Sequence, residues 1–452
     1  MKVLMTVSTI ILAAGKGKRM KSPMPKILHK IAGKQLIAFS VDLANAVKSK
    51  ETIVVINGDT EQDTRKALAE NNIKFCLQKK QLGTGDAVKT AIRNLKSTSE
   101  YTLVLYADTP FVTKGTIKRM ISKAKKGSEI VFLGFQTQAK NSYGKFKTSQ
   151  KRTLIDIIEK NEPGYSSLDS LSNSGIVLAR SKVIAELIQK IKNDNAKQEY
   201  YLTDLVKIAA KIGLSSTYVQ CDEGECLGVN SQLELSVAER KFQDDFRKKL
   251  MASGVSMTSP ETCFFSHDTK IKSGCVIEPN VVFGTGVEIQ SCTIIRSYSY
   301  IEGTHVGKHC QIGPFARLRP GTQLFNKVRV GNFVEVKNST LAPDTKANHL
   351  SYIGDAKVGT NTNIGAGTIF CNYDGKNKHP TVVGDNVFVG SNASLIAPLK
   401  IGDASIVAAG SVISRAVPTE SLAIARPLQQ NKIGLGRKIM LKLQKAAYKI
   451  KR

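Results

Sequence analysis

The stretch 381–413, TVVGDNVFVGSNASLIAPLKIGDASIVAAGSVI, places Val383, Val389, Leu395, Ile401, Val407 and Ile413 at six-residue intervals, with Gly384, Gly390 and Gly402 directly after three of them. An apolar side chain at every sixth position marks short strands stacked in triangular coils, where each inward residue steps to the next face and Gly or Asn takes the tight corner. Working outward, the same spacing holds for Val358, Ile364 and Phe370, for Val306, Ile312, Leu318, Leu324, Val330 and Val336, and for Ile271, Ile277, Phe283, Ile289, Ile295 and Ile301. A chance run in an antiparallel sandwich does not reproduce that register, so residues 252–432 are expected to form a left-handed parallel β-helix of hexapeptide repeats. The spacing breaks between Val336 and Val358 and between Phe370 and Val383. Loops leave a solenoid at such breaks and commonly carry its site. One break holds Lys346 and His349, the other residues 372–378.

Upstream the pattern changes. Short apolar runs such as Ile53–Ile56 and Tyr101–Tyr106 alternate with amphipathic stretches such as Asp63–Asn71 and Lys114–Lys126. Strands spaced by helices imply a mainly parallel sheet covered on both faces, a doubly wound α/β domain over residues 1–230. Ligands sit beyond the carboxyl ends of such strands, which directs attention to the loops after Leu12, after Tyr106 and after the strand near Ile176. Residues 231–251 are expected to be a linker helix. Residues 433–452 form a basic tail with Ile439, Leu443, Ala447 and Ile450 on one stripe, suited to docking on a neighbouring subunit, the simpler reading, or to touching an anionic membrane surface.

The 452 residues carry 66 Lys plus Arg against 37 Asp plus Glu, a formal charge of +29, so an anionic partner has to be considered. The basic residues are dispersed and Trp is absent, which argues for phosphorylated small substrates over nucleic acid. Eight cysteines without a C-x-x-C pair or a histidine ladder read as reduced, buried hydrophobes in a cytoplasmic protein. Met1 to Gly15 has two readings, a signal peptide or a buried first strand at Thr9–Leu12 entering a Gly-rich loop; the strand is preferred, since no later segment is long and apolar enough to span a membrane.

That loop reads Leu12-Ala13-Ala14-Gly15-Lys16-Gly17-Lys18-Arg19-Met20, with Pro25-Lys26 behind it. Glycines let backbone N–H groups approach phosphate oxygens, and Lys16, Arg19 and Lys26 can balance a triphosphate. The spacing fits neither a P-loop nor a dinucleotide fingerprint. Further along stand Gln78-Lys79-Lys80-Gln81-Leu82-Gly83-Thr84-Gly85, Tyr106-Ala107-Asp108-Thr109-Pro110, Tyr143-Gly144, Glu159, Asn173-Ser174-Gly175, Glu199 to Asp204 and Gly228-Val229-Asn230. The β-helix half adds Arg317-Leu318-Arg319-Pro320-Gly321, Gly331 to Lys337, Lys346 to Tyr352, Asn361 to Gly367, Asn372-Tyr373 and Ala425-Arg426-Pro427.

Together these resemble the nucleotide-sugar pyrophosphorylases and, over nearly the whole chain, the bifunctional N-acetylglucosamine-1-phosphate uridylyltransferase and glucosamine-1-phosphate acetyltransferase family. The resemblance implies that UTP and N-acetylglucosamine-1-phosphate meet in the first half, on Leu12, Ala13, Ala14, Gly15, Lys16, Arg19 and Lys26. Gln78, Gly83 and Thr84 would hold uracil, Gly144, Glu159 and Asn173 the sugar, and Asp108 and Asn230 Mg²⁺. One carboxylate and one amide oxygen leave a hard cation room for water and phosphate oxygens.

In the second half it implies that His349 is the general base for the sugar amine attacking acetyl-CoA, a task suited to imidazole. Arg319, Lys337 and Lys378 would grip the phosphate of glucosamine-1-phosphate, and Tyr352 and Asn363 would orient its sugar. Asn372, Tyr373, Ser391, Ala409 and Arg426 would line the site or meet acetyl-CoA. The resemblance also implies a homotrimer that makes UDP-N-acetylglucosamine for cell-envelope precursors.

Four positions depart from the family pattern: Lys18 for Thr, Ala107 for Gly, Lys145 for Arg and Asn348 for Gly. Ala107 would be strained if its position needs positive φ, whereas Asn348 would tolerate a left-handed conformation. Two alternatives stay open, a pyrophosphorylase with a shorter, purely structural β-helix and a non-catalytic regulatory subunit of the same layout.

Overall fold

The computed structural model describes residues 6–69, 71–137, 143–149, 153–160, 162, 164–165, 170–195 and 197–450. Its chain divides into two compact units, Met1–Phe246 and Arg247–Arg452.

The first unit contains β1 (Val7–Leu12), β2 (Lys30–Ile31), β3 (Lys34–Gln35), β4 (Glu51–Ile56), β5 (Lys74–Leu77), β6 (Tyr101–Tyr106), β7 (Ile130–Thr137), β8 (Lys145–Thr148), β9 (Leu154–Ile158), β10 (Ser170–Arg180) and β11 (Ser216–Cys221). The main sheet runs β11-β7-β10-β6-β1-β4-β5, with β8 and β9 attached beside β10. Its helices are α1 (Leu36–Ala46), α2 (Glu61–Ala67), α3 (Thr84–Asn94), α4 (Lys114–Lys125), α5 (Ser181–Leu187) and α6 (Asp204–Lys211). Alternation along the strands divides the core. Ile11, Val54 and Leu105 join Ile37, Val41, Ile117 and Met120 on one face, while Ile10, Val55 and Val104 join Val88, Ala91, Ile184 and Leu205 on the other. The run Thr9–Leu12 is thus a buried strand between β6 and β4; residues 1–5 lie outside the described residues.

One expectation about this sheet is corrected. β10 pairs antiparallel with both β6 and β7. Its carboxyl end at Arg180 therefore points away from the carboxyl ends of β1 and β6, and the loop after Ile176 is not where the site lies. The pairing with β7 is irregular between Asn173 and Val177, and that mid-strand kink, rather than a loop, turns Asn173 to Gly175 toward the site.

Helix α7 (Gln232–Ala252) starts where Glu234 N donates to Ser231 Oγ and Asn230 N donates to Glu234 Oε2, a reciprocal cap.

The second unit is a left-handed β-helix of three parallel sheets with ten, eight and eight strands, each two to four residues long. One face stacks Ile277, Ile295, Ile312, Val330, Ala347, Ile364, Val389 and Val407 in register. Buried hydroxyls inside the corners are satisfied by the next coil: Thr293 donates to Gly307 O, Ser351 to Gly365 O and Thr345 to Gly359 O.

The expected break between Val336 and Val358 is not a loop. Leu341, Ala347 and Ile353 are fully buried and pair in register as one complete coil. Two five-residue sides, Val336 to Leu341 and Ile353 to Val358, shift the frame, and Ala347 is too small to stand out as a core position. Chain leaves the coil between Phe370 and Val383, and Thr381 re-enters opposite Ala356.

Corners are not confined to Gly and Asn. Tyr298, Phe315, Phe333 and Leu350 hold φ of 61°, 54°, 55° and 51°, and the first three rings stack 5.0 and 5.1 Å apart on the surface. All eight cysteines are free, but Cys292 is exposed and Cys371 half-buried, so the expectation of uniform burial fails for these two. Helix α8 (Leu435–Ile450) follows the last coil. Ile439, Leu443 and Ala447 of its expected stripe are exposed, while the side chain of Ile450 lies outside the described residues. Among the described residues no helix is long and apolar enough to cross a membrane.

Candidate functional site

At the carboxyl ends of β1 and β6 opens a cavity of about 920 Å³. It brings together Leu12, Ala13, Ala14, Gly15, Lys16, Lys26, Gln78, Gly83, Thr84, Asp108, Gly144, Glu159 and Asn173. The loop after β1 bends because Gly17 sits at φ +60°, where a Cβ would also come within 2.8 Å of Lys26 Cβ. Two amides hold the loop by donating to Ala14 O, Asn57 at 2.9 Å and Gln81 at 2.8 Å. Gly83, at φ +109°, presses against Tyr200 O, and Gln78 Nε2 donates to Gly83 O and Asp86 Oδ2. Arg19 is not part of the lining; it is exposed on the short turn Lys18–Met20.

Asp108 and Asn230 lie 122 positions apart in sequence and meet because Val229 N donates to Asp108 O at 2.9 Å. Lys26 Nζ sits 2.5 Å from Asp108 Oδ2 and 3.1 Å from Asn230 Oδ1. One carboxylate and one amide oxygen thus converge on a single cationic centre. Ala107 does not take a positive φ, so the anticipated strain is absent.

The opposite end of the cavity is polar and partly buried. Asn173 N donates to Gly144 O at 2.7 Å, and Gly175 N to Asn173 Oδ1 at 2.9 Å. Thr203 Oγ1 donates to Glu159 Oε1 at 3.1 Å, yet burial still raises the Glu159 carboxyl above its ordinary range. Lys145 is buried, donates to Ser172 Oγ at 2.8 Å, and is lowered by that burial. Gln81, Tyr143, Ser174, Glu199, Tyr201 and Thr203 also line the cavity. They fall within sequence motifs noted above but had been given no role; Lys197, also in the lining, carried no sequence signal.

In the β-helix, His349 ends a strand, Lys346–His349, and is exposed. Its Nδ1 lies 2.7 Å from Asn332 Oδ1, its register partner one coil below. An amide oxygen can only accept, so Nδ1 donates and Nε2 keeps its lone pair. Asn332 falls within the Gly331 to Lys337 motif but carried no role there, since only coil pairing reveals its contact with His349. Asn348 is not left-handed; Leu350 is.

On the adjoining face Arg319 Nη1 lies 2.7 Å from Glu335 Oε1. Lys337 has Lys378 beside it and Arg319 nearby, and these like charges hold its ammonium below the usual lysine range. Asn372 Nδ2 donates to Asp355 Oδ2 at 2.5 Å and to the Tyr352 hydroxyl at 3.5 Å. Tyr373 is exposed on the inserted loop, where its hydroxyl donates to Gly375 O. Asn363 pairs in register with Lys346. Further along, Gly410 N donates to Ser391 O, and Arg426 Nη1 donates to Ala409 O at 2.8 Å, so Ser391, Ala409 and Arg426 gather on successive coils.

Residues 9–199 match the MobA-like NTP transferase domain, and residues 380–415 match the bacterial transferase hexapeptide with six repeats. The bifunctional protein GlmU of a Ruegeria species is 45% identical over 98% of this chain and 99% of its own. The GlmU protein of Wolbachia pipientis is 44% identical over 94% and 98%, and that of Bartonella quintana 40% over 96% and 97%. The chain belongs to the bifunctional GlmU family. As a GlmU it joins two transferases: it acetylates glucosamine-1-phosphate with acetyl-CoA and transfers uridylyl from UTP to N-acetylglucosamine-1-phosphate, giving UDP-N-acetylglucosamine. GlmU membership also closes the two alternatives left by the sequence, a purely structural β-helix and a non-catalytic subunit.

Proposed function

We propose that uridylyl transfer occurs in the 920 Å³ cavity with Mg²⁺ held by Asp108 and Asn230. The observation that supports this is the convergence of both oxygens on Lys26 Nζ, a cationic group in the place a hard cation would occupy. The donor set fits Mg²⁺, which is usually bound by one or two protein oxygens plus water and phosphate. Bound there, the ion would neutralise phosphate charge. The chain's own residues then position the reactants. Lys16 and Lys26 offset the triphosphate, and Gln78, Gly83 and Thr84 seat the base. Glu159, Asn173 and Gly144 orient the sugar so that its phosphate attacks in line.

Acetyl transfer we assign to His349. The Nε2 lone pair, fixed by the Asn332 contact, takes a proton from the sugar amine as it attacks the thioester carbonyl. Arg319, Lys337 and Lys378 hold the phosphate, Tyr352, Asn363, Asn372 and Tyr373 the sugar, and Ser391, Ala409 and Arg426 acetyl-CoA. The exposure of His349 on a single chain supports a homotrimer in which another copy covers this face. Eight free cysteines and two nucleotide substrates support a cytoplasmic setting.

Residues 1–230, 231–251, 252–432 and 433–452 serve respectively as uridylyltransferase, linker, acetyltransferase and tail. A fragment ending at Ala252 should fold and transfer uridylyl alone; an inactive fragment under conditions where the full chain works would remove this division. Omitting glucosamine-1-phosphate, acetyl-CoA, UTP or Mg²⁺ one at a time tests both reactions, and activity without Mg²⁺ would defeat the metal assignment. Light scattering at three chain masses tests the trimer.

A further inference from the structure

Gln78 directly follows β5, its N–H donates to Ile56 O at 2.9 Å, and the residue is buried in the cavity wall. Its Nε2 lies 2.7 Å from Asp86 Oδ2 and 3.2 Å from Gly83 O. A carboxylate and a carbonyl oxygen accept, so these contacts take both N–H bonds of the amide and leave Oε1 as the end that can meet a ligand. Both acceptors are themselves held. Tyr200 N donates to Leu82 O at 2.7 Å and Gly85 N donates to Tyr200 O at 2.8 Å, on either side of Gly83. Asp86 stands in the first turn of α3, where negative charge is favoured, and is not among the residues lining the cavity.

We propose that Asp86 is a positioning residue for base selectivity: it locks the Gln78 amide with its oxygen toward the base, so that the site takes uracil and refuses cytosine. The inference rests on the assignment of the base to Gln78, Gly83 and Thr84. Uracil carries a hydrogen on N3 and can donate it to Oε1. Cytosine has a lone pair on N3, which would face Oε1 as one acceptor against another. A free amide would escape that clash by turning over and donating from Nε2. Here the turn would set Oε1 against Asp86 Oδ2 and Gly83 O, two acceptors at once. Rejection of the wrong base is thus built by a residue that does not touch it, through the cost of reversing a neighbour. Thymine has the same N3–H as uracil, so the device does not separate those two.

The test compares kcat/KM of the full chain for UTP, CTP and 5-methyl-UTP in transfer to N-acetylglucosamine-1-phosphate. Asp86→Asn keeps the size of the side chain but offers an N–H₂ group that can donate to Gln78 Oε1 once the amide turns over. The preference for UTP over CTP should fall about tenfold, the scale of one realigned hydrogen bond, while the preference between UTP and 5-methyl-UTP stays. Asp86→Ala, which removes the acceptor without supplying a donor, should relax the preference less and gives a second reading if the Asn variant is unstable. Gln78→Ala should also lower the preference, and adding Asp86→Asn to it should change the ratio no further, because Asp86 acts only through that amide. The proposal is overturned if Asp86→Asn leaves the UTP to CTP ratio unchanged, or moves both ratios together as a loosened pocket would. It is also overturned if the double variant falls below Gln78→Ala. A ratio unaffected by Gln78→Ala would instead remove Gln78 from the base site, and this inference with it.

Discussion

The imidazole of His349 and the amide of Asn332 face each other across two coils, with Nδ1 2.7 Å from Oδ1. Each side chain projects from the same register position of adjacent strands, so the backbone ladder sets the contact. Replacing His349 by Ala should cost acetyl transfer about 10²–10⁴-fold, the usual worth of general-base assistance, with uridylyl transfer untouched. Asn332→Ala should cost about tenfold, the effect of one lost orienting hydrogen bond, and the loss should fall on kcat. Asn332→Asp, which keeps an acceptor, should retain most of the rate. Equal damage to both activities would mean that Asn332 is only structural.

Asp108→Asn should lower uridylyl transfer by orders of magnitude and leave acetyl transfer intact, because the metal would lose its anionic ligand from the protein. The same variant should lose the enhancement of water proton relaxation that a bound Mn²⁺ ion produces. Unchanged Mn²⁺ binding would place the ion elsewhere.

Lys337 is held below its usual range chiefly by Lys378 beside it. Cations crowded in this way await an anion. Lys337→Met should therefore raise KM for glucosamine-1-phosphate by about tenfold or more, as expected for a lost hydrogen bond to a charged group, without changing KM for acetyl-CoA. A shift in the acetyl-CoA constant instead would reassign the lysine to the other substrate.

Burial raises the Asp204 carboxyl from 3.8 to about 6. The native state therefore keeps a proton that the unfolded state gives up. Stability conferred by this group is greatest below pH 3.8, falls as pH rises toward 6, and stays lost above it. Because the carboxyl keeps partial contact with water, which screens the effect, Asp204→Asn should stabilise the protein by only about 1 kcal/mol above that window and flatten the difference within it. Urea midpoints across the acid range measure this, and a destabilised variant at neutral pH would show that the carboxylate is needed charged.

The six-residue spacing made the β-helix readable because every inward position in the stretch 381–413 is a large aliphatic. Ala347 hid a coil, and five-residue sides imitated a loop. The direction of β10 left no trace in its own sequence, since apolar patterning tells which residues are buried but not which way a strand runs. That is why the loop after the strand near Ile176 was expected beside those after Leu12 and Tyr106, whereas the irregular pairing at Asn173 to Val177 is what faces them. The Asp108 and Asn230 pair was found through motif resemblance, as the bond between Val229 and Asp108 that joins them is a backbone contact with no side-chain signature. Arg19, carried over with the glycine loop, lies outside the cavity because the turn Lys18–Met20 carries it back toward solvent.

The excursion between Phe370 and Val383 returns to the ladder at Thr381, directly over Ala356, as though nothing had been inserted. A coil that closes on itself this way separates inheritance of the scaffold from inheritance of the grip. Residues added to or removed from that corner would change which group Tyr373 and Lys378 reach while the stacked aliphatics beneath keep their neighbours. New acceptor preferences are thus within reach of short insertions and deletions at one place in the gene, with little cost in folding to oppose them.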